Sequence, residues 1–321
     1  MGTRATWIIG GIMMLAGACD EDSFTDLDDI VDGDIEPRDE QYNNIWLNNI
    51  WLNNIWLNNI WLNGFDLSGD PLPGPAGASD SIAVTDADAD VWLVGSEVHA
   101  QNGNGAVKSG SHINNLKVEF DITEGGTFKK KTLRISSAAQ LGSGVWTYDV
   151  DYKLGGGPWS PLCVADDGST TQAIFIGGVW NATTGARRQV ASTSVTVACR
   201  GAALAKCVEW GYHPWASVNN TSLQDYHQAC TRMVRADYCG EGVPHTAAGT
   251  PIHVLDQVGI QNVAPNVSYV VEAEWGPNGA TCLNTGNTRL ANQNIACQLP
   301  ACGSSFSSGG LIQSGKVLSG P

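Results

Sequence analysis

Short runs of alternating hydrophobic and polar residues, separated by turn-forming residues, fill the stretch from Ser81 to Val197. Val145–Tyr152 shows this alternation most clearly, and Gly- or Asn-rich gaps such as Gln101–Gly105 interrupt the runs. Many short strands at such spacing favour an antiparallel β-sandwich or barrel-like domain over residues 81–198. The predicted strands are Val91–Val98, Leu116–Ile122, Thr132–Ile135, Val145–Lys153, Gln172–Ile176 and Val190–Ala198.

The pattern changes after Cys199. Ala202–Trp210 and Leu223–Arg235 are predicted helices, the second with Thr221 or Ser222 as its N-cap, and Pro251–Leu255 and Tyr269–Trp275 are predicted strands. Residues 199–302 are therefore predicted to form a small cysteine-rich α+β domain, so that the chain as a whole is mainly β. Residues 303–321 are rich in Ser and Gly and are expected to fray as a tail.

The first 18 residues have the pattern of an export signal. After Arg4, the apolar run Ala5–Ala18 is shorter than the roughly 20 residues that a membrane-spanning helix needs, and it suits the apolar core of a signal peptide. The sequence Leu15-Ala-Gly-Ala-Cys19 resembles a lipobox, although its Leu lies four residues before the Cys instead of three. We expect lipidation of Cys19, with plain secretion after cleavage behind Ala18 as the alternative.

The acidic charge of the chain is concentrated near its N-terminus. Of the 32 acidic residues, eleven lie in Asp20–Glu40 and six in Gly64–Asp90, whereas Val91–Pro321 has fifteen acids and fifteen bases. Residues 19–42 are therefore predicted to be a solvated acidic tether. The neutral remainder argues against a nucleic-acid partner, because phosphate binding needs a basic surface.

A perfect pentapeptide repeat lies between the tether and the β-rich part. Asn-Asn-Ile-Trp-Leu begins at Asn43 and occurs four times, up to Leu62. A period of five matches neither a strand nor an α-helix, and one coil of repeats cannot bury its own apolar face. We consider three roles for residues 43–65: docking on the following domain, self-association, or a disordered spacer. Residues 66–80 are a linker rich in Pro and Gly.

Cysteine number and spacing predict disulfides. Without Cys19, an even set of eight remains, and such a set in an exported chain indicates a disulfide framework with its pairing left open. The Cys-x₂-Cys spacing typical of zinc sites does not occur, and neither a metal nor another cofactor is expected. The eight are Cys163, Cys199, Cys207, Cys230, Cys239, Cys282, Cys297 and Cys302.

Several residues near Cys239 have side chains that enzymes use. Cys239, His227 and Asp237 would suit a thiol-nucleophile site if the Cys239 thiol were free, but an exported disulfide protein is expected to oxidise it. The favoured interpretation is structural: Cys230 and Cys239 anchor the second helix, and Asp237 forms an ion pair with an arginine, Arg232 or Arg235. Further polar candidates are His213, Asp225, Glu241, His245 and His253. Core packing, or else an aromatic groove for glycans, is expected of Trp210, Tyr212, Trp215 and Trp275.

The motif Ala236-Asp237-Tyr238-Cys239 and the residues around it resemble the ADYC domain family of bacterial envelope proteins. The likeness covers about Leu162–Cys302. Members of that family often carry a lipoprotein-like signal and short tandem repeats, but no activity of the family is established. The resemblance therefore implies membership of a family but does not imply any particular activity. It is carried by Ala205–Trp215, Tyr226–Gly240, Pro244–Thr246, Gly249–Ile252 and Glu272–Leu283.

These observations together predict a non-enzymatic, exported and lipid-anchored protein of the bacterial cell envelope. Its expected role is structural, adhesive or binding, with another envelope protein, a glycan or a second copy of itself as partner. The alternative is a secreted hydrolase or other enzyme with a site around Asp237, His227 and Cys239.

Overall fold

The fold is given by a computed structural model. It describes residues 45–47, 63–66, 81–84, 90–101, 105–124, 127–165, 168–181, 184–188, 194–247, 250–263, 269–291, 294–303 and 306–317. The predicted signal peptide, Cys19, the acidic tether and repeat residues 48–62 lie outside the described residues. Within the described part of the chain, none of the helices is both long and apolar enough to cross a membrane.

Twenty strands and two α-helices make up the described part, together with short 3₁₀ turns at Gly110–Ile113 and Thr285–Asn287. The helices are α1 (Ala203–Glu209) and α2 (Gln224–Arg235). The strands are β1 (Ile45–Leu47), β2 (Asn63–Asp66), β3 (Ser81–Val84), β4 (Asp90–Val94), β5 (Glu97–Gln101), β6 (Val107–Ser109), β7 (Lys117–Glu124), β8 (Thr127–Gln140), β9 (Trp146–Leu154), β10 (Ser160–Pro161), β11 (Ala173–Gly177), β12 (Val179–Trp180), β13 (Arg187–Arg188), β14 (Ser194–Cys199), β15 (Ser217–Val218), β16 (Thr221–Ser222), β17 (Thr250–Asp256), β18 (Tyr269–Gly276), β19 (Gly279–Leu283) and β20 (Ile312–Val317).

Two large sheets organise the fold. The first has eight strands in the order β2-β14-β11-β9-β8-β7-β3, with β10 added beside β9. The second has five strands in the order β1-β17-β20-β18-β19, and β4-β5-β6 form a small third sheet. All strand pairings among the described residues are antiparallel. The predicted mainly-β, antiparallel class with a small α+β part is therefore confirmed.

Strand β11 shows how the first sheet is buried on both faces. Ile174 and Ile176 pack into a core with the helices and the second sheet, whereas Ala173 and Phe175 pack on the opposite face. Because successive side chains of a strand point to opposite faces, a strand covered on both sides reads as a continuous apolar run. The small β4-β5-β6 sheet supplies Val91, Val98 and Ala100 to the second of these cores.

Both helices are buried in the core between the two large sheets. Every residue from Ala203 to Val208 in α1 is buried, and α2 is buried from Tyr226 to its end. Their core also includes Ile174 of β11 and Trp275 of β18, so it crosses the predicted boundary at residues 198 and 199. That boundary marks a change of composition along the chain but does not divide the hydrophobic core.

The predicted strand Val91–Val98 is instead a hairpin. Strands β4 and β5 pair in register from Val94↔Glu97 to Asp90↔Gln101. Gly95, between them, has φ of 64°, a left-handed conformation that glycine adopts without steric cost. An isolated Gly inside a strand pattern is a known sign of a break, and here it marks the turn.

The predicted frayed tail contains a central strand. Residues of β20 pair with β17 on one side and with β18 on the other, and Ile312 is fully buried. At Gly315 a Cβ would lie 2.3 Å from the Val270 carbonyl oxygen, so a small residue is required there. The Ser and Gly content that suggested fraying therefore reflects close backbone packing, and the prediction of a fully frayed tail is wrong for Ile312–Val317.

One short strand lies in the first repeat copy and another directly follows the last copy. Ile45–Leu47, from the first repeat copy, pairs with Thr250–Ile252 of β17. Asn63–Asp66, directly after the last copy, pairs with β14. The first copy thus pairs with β17, while docking, self-association and a disordered spacer all stay predictions for the repeat segment.

Candidate functional site

The eight cysteines of the C-terminal half form four disulfides. The pairs are Cys163–Cys199, Cys207–Cys230, Cys239–Cys297 and Cys282–Cys302. The first joins the segment after β10 to the end of β14, the second joins α1 to α2, and the last two hold the segment that follows β19. This confirms the disulfide prediction, including the role of Cys230 and Cys239 in anchoring α2 and its exit. Among the described residues there is no group of three or more potential metal ligands.

Helix α2 ends at the ADYC motif, where the chain reverses. Ala236 has φ of 51° and ψ of 41°, and the Asp237 N–H donates to the Arg232 carbonyl at 2.9 Å. A left-handed residue at a helix end satisfies the last carbonyls and turns the chain away. The motif thus begins as a helix stop, and the turn directs the Asp237 side chain back towards the last turn of α2.

Asp237 forms a buried ion pair. Its Oδ2 accepts a hydrogen bond from Arg232 at 2.5 Å and another from the Gly242 N–H at 2.9 Å, and its side chain is fully buried. Arg232 also donates to the Thr184 and Pro277 carbonyls, whereas Arg235 donates to the Gly242 carbonyl. The predicted ion pair is therefore confirmed with Arg232, and this carboxylate holds the loop that leaves the helix.

Tyr238 connects the motif to a second buried ion pair. Its hydroxyl donates to Glu272 at 2.7 Å, and its ring stacks on Trp275 at 5.2 Å. Glu272 pairs with Arg289 at 2.7 Å, and both side chains are at most 1% exposed. Burial by itself would raise the pKa of Glu272, but the Arg289 charge, with hydrogen bonds from Arg289, Ser314 and Tyr238, outweighs burial and holds that pKa below its ordinary value.

The backbone after Tyr238 packs against the β18–β19 turn without room for side chains. A Cβ at Gly240 would lie 1.8 Å from the Asn278 carbonyl oxygen, and one at Gly279 would lie 2.7 Å from the Tyr238 carbonyl oxygen. The Ala280 N–H donates to that same Tyr238 carbonyl at 2.8 Å. Cys239 is disulfide-bonded to Cys297, so it carries no thiol. The whole motif is a structural junction between α2 and the second sheet.

His227 lies in the core. Its Nε2 is 3.0 Å from the Leu204 carbonyl, and its ring meets the Trp180 ring edge-on at 5.7 Å. Each member of the hypothetical thiol site is thus held in its own structural contact. Of the other polar candidates, Asp225 and Glu241 are exposed, while His245 packs beside Tyr238 at 5.6 Å.

We expect stability to fall in acid because of His227. Burial, the largest cause, lowers the pKa of His227 from 6.5 to about 4 against the opposing hydrogen bond to Leu204. His227 is therefore protonated below about pH 6.5 in the unfolded chain, but only below about pH 4 in the folded chain. The free energy of unfolding should drop by about 3 kcal/mol across this interval. Urea denaturation at pH 7, 5.5 and 4 measures the drop.

A His227→Gln variant is the control for this prediction, because glutamine can still donate to the Leu204 carbonyl but does not titrate. Its free energy of unfolding should depend less on pH between 6.5 and 4 than that of the wild type. Identical pH profiles for the two proteins would show that His227 is protonated normally in the folded state.

A cleft of about 500 Å³ opens beside the end of α1. Gly211 has φ of 94°, its N–H donates to the Val208 carbonyl, and the Tyr212 N–H donates to the Cys207 carbonyl. This pattern is a Schellman motif, which ends the helix with a left-handed glycine. The helix end forms one wall of the cleft with Trp210, and His213 lies just beyond the turn.

Asp256 shapes the opposite wall. Its Oδ1 accepts the N–H groups of Val258, Gly259 and Ile260, and its Oδ2 accepts the Gln261 N–H at 2.6 Å. The Tyr212 hydroxyl donates to the same Oδ2 at 2.8 Å, and the Gln261 side chain donates to the Trp210 carbonyl. Burial first, and then the neighbouring Asp256 charge, raise the pKa of Tyr212, so it remains a donor. The two walls are thus tied together before any ligand enters.

His213 supplies the chemistry of the cleft. Its ring stacks with Trp215 at 5.2 Å between centroids, and Trp215 is 38% exposed. Burial lowers the pKa of His213 although the Val208 carbonyl is hydrogen-bonded to the ring, so the imidazole is neutral at pH 7. Its Nε2 is buried and has no hydrogen-bond partner among the described residues. A neutral imidazole that donates through one nitrogen offers a lone pair at the other.

Sequence reasoning named His213, Trp210 and Trp215 but did not place them around a cleft. It missed Asp256, whose only local sign is the turn-like spacing Asp256-Gln-Val-Gly259. It also missed the pair of Glu272 and Arg289, for which the sequence carries no periodic signal.

Comparison with known proteins agrees with the sequence resemblance. The model of the ADYC domain matches residues 93–289, which is more than half of the chain and begins well before the resemblance expected from Leu162. Neither the curated proteins nor the solved structures contain a match to this chain. The disulfides, the helix stop at Ala236 and the buried contacts of Asp237 and Tyr238 all fall in or beside the matched region, and the chain belongs to the ADYC domain family.

Proposed function

We propose that this protein is an exported, lipid-anchored protein of the bacterial cell envelope that acts by binding and not by catalysis. Cys19 carries the lipid, the acidic tether spans the distance to the folded part, and the cleft beside α1 is the binding surface. Its partner is a molecule of the envelope.

The observation that carries the proposal is the complete pairing of the eight cysteines in the C-terminal half. Four disulfides persist in oxidising compartments and are rare in the cytosol, where thiols are kept reduced. The pairing agrees with the export signal that the first 18 residues suggest. It also agrees with a neutral folded surface, which gives no electrostatic reason to bind nucleic acid.

The geometry around the ADYC motif supports binding over the alternative of a hydrolase. A thiol nucleophile needs a free cysteine, and Cys239 is bonded to Cys297. The Asp237 carboxylate is committed to Arg232 and to the Gly242 N–H, with no exposed surface. Residues so enclosed support the fold, whereas the cleft beside α1 is a concave surface whose lining includes Trp210 and His213.

A mass map of the mature protein tests the proposal. The full chain is produced in a bacterium and isolated from its membranes, and we expect a mature N-terminus at Cys19 with an added acyl mass. Thiol titration of the denatured, unreduced protein should find no free thiols, and reduction should release eight. A Cys19→Ser variant should move from the membrane fraction to the soluble fraction.

The possible outcomes test the lipid anchor and the export of the protein separately. Cleavage after Ala18 without a lipid would contradict the anchor but not the export. Retention of Met1, together with several titratable thiols in cytosolic protein, would contradict export and the proposed function with it.

A further inference from the structure

In the described part of the chain, one half of β17 has an edge that β1 alone covers. His253–Asp256 pair with β20, whereas Thr250–Ile252 pair with no described strand other than β1. Pro251 is a residue that sheets accept in edge strands, and the core holds Ile252, which is 1% exposed. An edge strand presents unpaired N–H and C=O groups that another extended segment can satisfy. This half of β17 is therefore a fixed template for one short strand.

Strand β1 is one of four segments with the same sequence. Ile-Trp-Leu recurs at residues 45–47, 50–52, 55–57 and 60–62, each time after Asn-Asn. When a strand is added to a sheet edge, backbone hydrogen bonds give affinity and side chains give specificity. Segments of identical sequence offer the edge identical groups, so the edge cannot select the first copy by its chemistry. Each chain thus carries one such edge and four segments that fit it.

We propose that the edge at Thr250–Ile252 is a docking site for an Ile-Trp-Leu segment of a second copy of this chain, so that neighbouring molecules exchange repeat copies. Exchange loses no strand pairing, because an identical segment replaces the one that leaves. The edge is not among the residues that line the cleft beside α1, so the inference goes beyond the proposed function and does not depend on the cleft.

Chain connectivity sets the concentration at which exchange occurs. A segment tethered by a short flexible linker competes for its own edge with an effective concentration on the order of 1 mM. Segments of other chains therefore fill few edges in dilute solution and about half of them when the protein itself reaches about 1 mM.

Photocrosslinking from the β17 edge tests the proposal. In a trace of isotope-labelled full chain with Cys19→Ser, p-benzoylphenylalanine replaces Thr250, which lies opposite Leu47. Unlabelled Cys19→Ser chain is added from about 10 µM to about 1 mM, and mass spectrometry separates crosslinks within the labelled chain from crosslinks between chains. We expect crosslinks to the repeats, with the share formed between chains rising from about 1% to about one half.

A second variant and a control sharpen the test. Serine replaces Ile, Trp and Leu in all four copies of the crosslinker chain, so its own segments no longer compete and capture of unlabelled repeats should rise at every concentration. In the control, the crosslinker replaces Val107 in β6, another three-residue strand at the edge of a sheet, where the side chain is 52% exposed. It should capture no repeats. Melting temperatures show whether each variant is folded.

Three results would overturn the proposal. Crosslinks that stay within the labelled chain at about 1 mM would rule out exchange between molecules, whether or not the serine variant folds. A folded serine variant that captures no repeats would rule out the docking site. Equal capture from Val107 and Thr250 would show that the repeats attach to any exposed strand. The mass map of the mature protein is independent of these results, so failure of this inference is distinguishable from failure of export.

Discussion

Replacing Arg289 with methionine should lower the free energy of unfolding by about 3–5 kcal/mol. The Arg289 guanidinium is fully buried and donates to both carboxylate oxygens of Glu272 and, at 2.9 Å, to the Met233 carbonyl. Methionine fills much of the same space but leaves the Glu272 charge buried without its cation, with hydrogen bonds only from Ser314, from Tyr238 and from the backbone N–H of residue 289. Urea denaturation at pH 7 measures the loss.

A double substitution identifies the cause. If the penalty comes from the unpaired carboxylate, Arg289→Met with Glu272→Gln should recover much of the lost stability, because the charge is removed as well. Arg200→Met breaks a partly exposed pair with Glu209 and should cost about 1 kcal/mol or less. Equal losses of stability for Arg289→Met and Arg200→Met would contradict the structural importance of the buried pair. They would also contradict the stabilising role of the Tyr238 hydrogen bond to Glu272.

Removal of the motif's disulfide is the second large effect. Cys239 and Cys297 are 58 residues apart, and the loop that their bond closes restricts the unfolded chain. Chain entropy predicts that Cys239→Ser with Cys297→Ser lowers the free energy of unfolding by about 4 kcal/mol. The bond also holds the segment around Cys297 against the motif, where the Cys297 N–H lies 3.1 Å from the Cys239 sulfur. Thermal and urea unfolding both report the change.

The Cys282–Cys302 bond is the matched comparison. Its cysteines are 20 residues apart, so its removal should cost about 3 kcal/mol, less than removal of the longer loop. The reverse order would show that local contacts dominate over loop length. A loss below about 1 kcal/mol for the Cys239 pair would show that the junction is held without its covalent bond.

The sequence was informative where a local pattern decides the structure. Both helices, the alternation in Val145–Tyr152 and the pairing of Asp237 with an arginine five residues earlier follow from periodicity and short spacing. The disulfide framework followed from an even cysteine count, although its connectivity did not, because pairing depends on the folded geometry.

The features that the sequence did not reveal depend on contacts between distant segments. In the sequence, Glu272 and Arg289 have the character of ordinary surface residues. In the fold, β18 and the segment after β19 place both side chains in the core. The cleft likewise joins the end of α1 to the Val258–Gln261 loop, and Asp256 binds that loop through four backbone N–H groups. Strand β20 was missed because Ser and Gly have low strand propensity, which tertiary packing overrides.

The position of β20 has a consequence for how the molecule is made. A ribosome releases β17 and β18 before the strand that belongs between them, so the newly made chain has a gap in its second sheet until residue 317 has emerged. Helix α2 packs against that sheet and cannot settle on a finished surface earlier. The second sheet can therefore be completed only late in synthesis, and the surface that it offers to α2 is assembled only then.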